Sequence, residues 1–258
     1  MGIYKRFIFL LVIIIFSTQG YSQSKLKIES DRVVAGETLN YKAKWGLLTI
    51  GSASTRIDKN LYRIGKKDCY KIEIQGHTNG LAKLFYVNDK WISYIDKKTI
   101  TTHKSSRHIR EGNYVLDEQV DFDHQNKKAT VKVFDKKLGR YKLKKVYDTP
   151  ENIRDIVAGF MVVRVLDLSQ YEVGDTITVN GFYEDEGYKI NILARAKEYI
   201  ETDIGEVLCY KMSPIVPKNK LFKGNNSVDV WYSADKAQSI IRVRAKMYVG
   251  RIQIDIQD

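Results

Sequence analysis

DTPENIRDIVAGFMVVRVLDL, Asp148 to Leu168, is a long segment with helical rather than strand periodicity, and its reading decides the fold. Ile153, Ile156, Val157, Phe160, Met161 and Leu166 recur at three- and four-residue steps, which predicts a helix over about 150–168. Asp148 or Thr149 can cap the free N–H groups of its first turn. Pro150 fits there because it has no donor to lose, and Glu151 stands at capping-box spacing from Asp148. Arg154, Asp155 and Arg164 fall off the apolar stripe. Gly159 costs helix propensity and points to something packed closely over it. Such a helix either plugs a β core or forms one wall of a pocket.

Outward from this segment, both flanks read as strands. Leu39, Tyr41, Ala43 and Trp45 alternate with Asn40, Lys42 and Lys44; Tyr70, Ile72 and Ile74 alternate with Lys71, Glu73 and Gln75. Tyr114, Leu116, Val120 and Phe122 share a face that Glu118 interrupts. Ile190, Ile192 and Ala194, then Val243, Ala245, Met247 and Val249, then Ile252, Ile254 and Ile256 repeat the pattern. One wet face and one dry face is the signature of antiparallel sheet on a single core. The expected fold is mainly β: a strongly curved antiparallel sheet or open barrel of two similar halves, with one central helix.

Residues 1–22 have the form of a secretory signal. Lys5 and Arg6 precede an unbroken apolar run, Phe7 to Phe16, and Gly20 and Ser22 are the small residues of a cleavage site. The run is shorter than the ~20 residues of a membrane-spanning helix. No cysteine lies near the cleavage point, so the expectation is an exported protein of the periplasm, outer-membrane periphery or cell surface, neither lipoprotein nor transmembrane. Residues 23–258 then form a single β-rich domain. Cleavage removes two cations from a chain of net charge +12. Much of the excess lies in Lys136–Lys145, KKLGRYKLKK, either the solvated face of a hairpin or a contact for anionic lipid. Nucleic acid is not an expected partner, since no nucleic-acid-binding motif accompanies the charge.

An internal echo runs through the chain. Gly36-Glu37-Thr38 returns as Gly174-Asp175-Thr176, and Cys69-Tyr70-Lys71 as Cys209-Tyr210-Lys211, about 140 residues later. Trp91 and Ser93 match Trp231 and Ser233, Asp96-Lys97 matches Asp235-Lys236, and Gly112 matches Gly250. The expected halves are about 36–112 and 174–250, with a hairpin and the helix, 113–168, between them. Cys69 and Cys209 occupy equivalent places. They either pair as a disulfide in an oxidising compartment or serve as two buried fillers.

Chemistry-bearing motifs are scarce. His77, His103, His108 and His124 show no zinc-helix spacing, and no calcium loop, Gly-x-Ser-x-Gly elbow, Ser-x-x-Lys or Cys-x-x-Cys occurs. No catalytic residue, metal or cofactor is expected. The aromatic content points to binding instead: Tyr41, Trp45, Phe85, Trp91, Phe160 and Trp231, with Met161, are the candidate lining of an apolar cavity.

The stretch GETLNYKAKWGLLTIGSAS, with Gly36, Glu37, Leu39, Tyr41, Trp45, Gly46, Gly51 and Ala53, resembles the opening of exported bacterial proteins catalogued as domain of unknown function 3108. The helix ahead of Leu166-Asp167-Leu168, the Gly174 turn and Trp231-Tyr232-Ser233-Ala234-Asp235 are similar to later parts of that pattern. Ser239-Ile240-Ile241 departs from it where a proline is expected. The resemblance implies envelope localisation and a β-rich fold, and it brings no activity. The reading at this level is non-catalytic binding of an apolar or amphipathic, lipid-like envelope molecule. The alternatives are a structural or protein-interaction module and, less favoured, an envelope hydrolase.

Overall fold

The computed structural model describes residues 26–79, 86–215, 224, 226–248 and 250–257. Residues 1–22, the expected signal segment, and Phe85 lie outside them. The first half holds β1 (Thr38–Trp45), β2 (Leu48–Ile64), β3 (Lys67–Thr78), β4 (Asn88–Asp96), β5 (Thr102–Glu111) and β6 (Tyr114–Asp123). A hairpin follows, β7 (Lys128–Asp135) and β8 (Arg140–Asp148), and then the helix α1 (Ile156–Arg164). The second half holds β9 (Thr176–Tyr183), β10 (Glu186–Thr202), β11 (Gly205–Pro214), β12 (Val228–Ser233), β13 (Ile240–Lys246) and β14 (Arg251–Gln257).

These strands form one 14-stranded antiparallel sheet in the order β8-β7-β6-β5-β4-β3-β2-β1-β14-β13-β12-β11-β10-β9. Each strand lies beside its neighbour in sequence except at the β8–β9 step, and β1 pairs with β14 from Asn40↔Gln257 to Trp45↔Ile252. The ring stays open at one seam, between β8 and β9. Residues 149–175, which carry α1, enter the sheet there. One core cluster joins α1 to both halves: Val157, Met161 and Val162 meet Tyr41, Ile57, Ile72 and Ile95 from one side and Val179, Met212, Val230 and Tyr232 from the other. A smaller cluster of Val120, Phe122, Ala129, Val131, Ile153 and Phe182 packs across the seam.

The halves share local geometry. The Gly36 N–H donates to the Ile57 carbonyl (3.0 Å) and Ile57 returns a bond to Glu37; Gly174 and Ala194 repeat this at 2.9 Å, with Ala194 returning to Asp175. Both glycines have positive φ, 87° and 101°, which side-chain-bearing residues adopt at a cost. Asp96 and Asp235 each accept backbone N–H groups from the β4–β5 and β12–β13 turns. Trp91 and Trp231 break the correspondence. Trp91 lies beside Ile156 of the helix, whereas Trp231 points away from it.

The helix is shorter than its periodicity predicts. It begins at Ile156 because residues 153–154 are taken up by the sheet. The Arg154 N–H donates to the Asn180 carbonyl (3.0 Å), the Phe182 N–H donates to the Arg154 carbonyl (2.7 Å), and Ile153 accepts from Thr102. Asn152 has φ 53° and breaks any helix started upstream. Asp148 is the last residue of β8 and pairs with Lys128, so Asp155 is the cap, its side chain accepting from the Ala158 N–H at 3.0 Å. Arg154 and Arg164, expected on the wet side, are both buried. Gly159 has no atom within 4 Å of where a Cβ would stand, so no close approach explains it. Gly159→Ala is therefore expected to raise stability by up to ~1 kcal/mol, read as a higher urea midpoint at unchanged slope.

Candidate functional site

Both ends of α1 are tied down by side chains distant in sequence. At its N-terminus the Asp155 carboxylate accepts from Ser93 Oγ, Thr102 Oγ1 (2.9 Å) and the Ala158 N–H. Burial pushes this carboxyl above the usual range, against the pull of those three hydrogen bonds. At the C-terminus Gln238 Nε2 donates to the carbonyls of Arg164 (2.8 Å) and Leu166 (2.6 Å), and its Oε1 accepts from Leu168. Carbonyls orphaned by the helix end are satisfied in this way. The Arg164 guanidinium forms a bidentate pair with Glu37 and donates from Nε to the Ala237 carbonyl at 3.0 Å. Arg154 has no carboxylate. It donates to the carbonyls of Asn152 and Thr99, its Nε lacks a partner, and burial pulls its pKa down to about 10.

Two hollows flank the helix segment. The first, about 40 Å³, opens at the seam and is lined by Trp91, Arg107, Glu118, Asp155, Ile156, Phe182, Tyr183 and Glu184, among others. It has room for a few waters. Arg107 pairs with Glu118 (Nε to Oε1, 2.8 Å) and stacks over Tyr183 at 5.4 Å; burial and Glu184 push the Tyr183 hydroxyl up to about 12. Trp91 Nε1 is buried without a partner. Three carboxylates reach this hollow, yet Glu118 is held by an arginine and Asp155 by the helix.

The second hollow is larger, about 140 Å³. Leu168, Tyr171, Val173, Ala194, Ala196, Tyr210 and Met212 line it, with Ser169 and Lys197 as its polar members. It arises where the chain leaving α1 crosses the inner face of β10 and β11. Ala194 pairs with Met212 there, and the register shifts at Arg195. Two alanines leave the space that larger side chains would fill. Lys197 stands over the Tyr210 ring at 5.3 Å and is exposed, so a cation sits beside the apolar hollow.

Of the seven residues expected to line one cavity, the six that are described do not come together. Tyr41 is buried in the core, donating to the Ile240 carbonyl at 3.1 Å. Met161 is fully buried beneath the helix, and Phe160 is half-buried beside it. Trp45 packs over Gly250, where any Cβ would collide with the indole. Trp91 lines the seam hollow. Trp231 is buried on the outer face between Lys211 and Arg244, its Nε1 donating to Glu198 at 2.8 Å. The reason is geometric: alternation tells which residues share a face, and it does not tell which face the helix will fill. The lining of the second hollow depends on small residues, Ala194 and Ala196, that carry no signal by themselves.

Cys69 and Cys209 are free buried thiols on β3 and β11, with five strands between them in the sheet. Burial raises them to about 11 and about 12, so neither supplies a thiolate nucleophile. Ser52 Oγ and His77 Nε2 lie 3.0 Å apart as exposed cross-strand neighbours of β2 and β3. A nucleophile–base pair is ordinarily oriented by a third group, and among the described residues no side chain hydrogen-bonds the other ring nitrogen of His77. Among the same residues no three His, Cys, Asp or Glu side chains group as a metal site, and no helix is long and apolar enough to cross a membrane. In the Lys136–Lys145 run, Lys142 pairs with Asp135 and Lys144 with Asp185, while Leu138 and Leu143 are exposed.

Among curated proteins none matches the sequence. The fold is similar to the crystal structure of a beta-barrel-like protein of domain of unknown function DUF1849 from Brucella abortus. The identity is 8%, the alignment covers 86% of this chain and 97% of that chain, and the TM-score is 0.50. A Bacteroides fragilis protein whose description gives it as exported, with a YmcC-like fold, aligns at 8% identity over 86% of this chain and 94% of that chain, with a TM-score of 0.34. The Gly36 turn, the Tyr41–Trp45 strand and the closing β14 all fall within or beside one family match spanning residues 40–257, so the chain belongs to the protein family of unknown function DUF3108.

Proposed function

We propose that this is an exported, non-catalytic protein of the cell envelope that holds the apolar end of an amphipathic, lipid-like molecule. The observation that carries the reading is the hollow of about 140 Å³ beside β10 and β11, apolar in lining and flanked by Lys197. A void of this size accommodates about one benzene ring, well below the ~300–1,000 Å³ of a pocket that engulfs a whole ligand. The ligand's tip therefore enters between Tyr171 and Met212, and an anionic head rests near Lys197. The centre of the sheet is filled by α1 and does not take part. On this reading the matched halves are two copies of one strand unit, and the segment joining them roofs the site.

The test uses the mature chain, residues 23–258, with the apolar fluorophore N-phenyl-1-naphthylamine and a long-chain fatty acid as its competitor. Wild type is expected to bind the fluorophore and release it to the fatty acid. Ala196→Trp fills the hollow from a half-exposed position, so binding is expected to fall about tenfold while the thermal midpoint holds. Lys197→Glu is expected to weaken the fatty acid more than the neutral fluorophore. Absence of binding by wild type, or wild-type affinity in Ala196→Trp, would overturn the reading. A second reading, a protein-interaction module, draws on β8, an edge strand with seven of its nine residues exposed.

A further inference from the structure

Apart from the hollow, one rim of the sheet has a surface character of its own. Because the strands run antiparallel in sequence order, every loop joining an odd-numbered strand to the next even one lies at the same end. Large apolar side chains stand in water there at five successive described tips: Leu138, Tyr114, Tyr86, the pair Leu47 and Leu48, and Tyr248. Leu47 is 99% exposed and Leu48 71%. The Leu47 and Tyr248 tips adjoin, since the Gly46 N–H donates to the Arg251 carbonyl at 3.2 Å. Isolated exposed leucines are ordinary, but a row of them along one rim is not.

The same rim carries cations without partners. Lys136, Lys137, Arg140, Lys246 and Arg251 are exposed and form no ion pair with any described residue. The opposite rim differs. It too carries exposed lysines, Lys66, Lys97, Lys98 and Lys236, but its loops mix them with Asp123, Asp148, Glu151, Asp203 and Glu206, and the exposed large apolar residues of its described loops are aliphatic: Val34, Val173 and Ile204. On the first rim the β9–β10 tip, Glu184-Asp185-Glu186, gathers three consecutive carboxylates.

We propose that this rim docks onto an anionic lipid surface, with Leu47 and Leu48 below the headgroups, the tyrosines at headgroup level and the five cations over the phosphates. Apolar tips flanked by lysine and arginine, with aromatic rings beside them, are what the interface of an anionic bilayer rewards. Each cation near such a surface contributes about fivefold in partitioning, an effect that salt screens.

The experiment is co-sedimentation of the mature chain with vesicles of phosphatidylcholine alone or with phosphatidylglycerol added. Wild type is expected to sediment with the anionic vesicles, weakly with the neutral ones, and to be released by salt. Leu47→Asp with Leu48→Asp should lower binding about tenfold, and Lys136→Glu with Lys137→Glu, which removes two cations at about fivefold each and adds two anions, by at least about 25-fold at low salt. Val34→Asp with Ile204→Asp, at the other end and outside the hollow, should leave it unchanged. Circular dichroism confirms that each variant is folded. Equal loss from both ends, indifference to lipid charge, or a wild-type dimer that Leu47→Asp dissolves would overturn the proposal. Ala196→Trp, which fills the hollow, is expected to bind vesicles as wild type does, so the two proposals fail separately.

Discussion

Glu37→Ala is expected to destabilise the protein by roughly 3–5 kcal/mol, because it strands a fully buried guanidinium. The Arg164 side chain is 1% exposed and spends two of its nitrogens on Glu37, whose own side chain is 18% exposed. With the carboxylate gone, only the Ala237 carbonyl remains as a partner from this set. Charge in a low-dielectric interior is costly when unpaired, and the Glu37 side is too closed for water to replace a bidentate partner fully. In a chain of this size each kcal/mol moves the thermal midpoint by ~2–4 °C, so a drop of about 10 °C follows. The double variant Glu37→Leu, Arg164→Met removes both charges and should recover most of the loss. A single variant that melts as wild type does would show that the pair contributes no more than a surface contact.

The second large effect is expected at Met161. This side chain is 1% exposed and lies among Val157, Ala158 and Val162 on the buried side of α1. Met161→Ala should cost ~2–5 kcal/mol, the lost transfer energy plus a cavity that the surrounding strands cannot collapse into. Phe160→Ala should cost less than half as much despite the larger side chain, since Phe160 keeps part of its surface in water. Its carbonyl accepts from the Tyr232 hydroxyl at 3.3 Å, an interaction that truncating the side chain leaves in place. Chemical denaturation of both variants measures the contrast. The reverse order would mean that α1 presents its Phe160 side to the core, against the contacts described above.

The β class and most strand positions were legible from local pattern. Alternation such as Tyr70, Ile72 and Ile74 against Lys71, Glu73 and Gln75 reports one wet and one dry face directly, and all three apolar residues pack against the core. The turn at Gly36 and its counterpart at Gly174 were also visible, because positive φ restricts which residues can stand there. The candidate site was not legible. Its larger hollow is lined by Ala194 and Ala196 together with Tyr171 and Tyr210, beside a register shift in β10, and small residues leave no periodic trace. Trp91 and Trp231 were equivalent in sequence, yet one faces the helix and the other lies under Lys211 and Arg244.

What the chain determined by itself, then, is a succession of amphipathic strands interrupted by one apolar helix, since both follow from side-chain period alone. What the tertiary structure decided is where that helix starts and what it does with its charges. Ile153 and Arg154 are helix-competent in isolation, but Thr102, Asn180 and Phe182 bind their backbone as strand, so the helix waits for Asp155. Arg164 reads as a solvent-facing residue until Glu37, distant in sequence, supplies the carboxylate that lets it be buried. Local periodicity carries no information about a hydrogen-bond partner that only folding brings near.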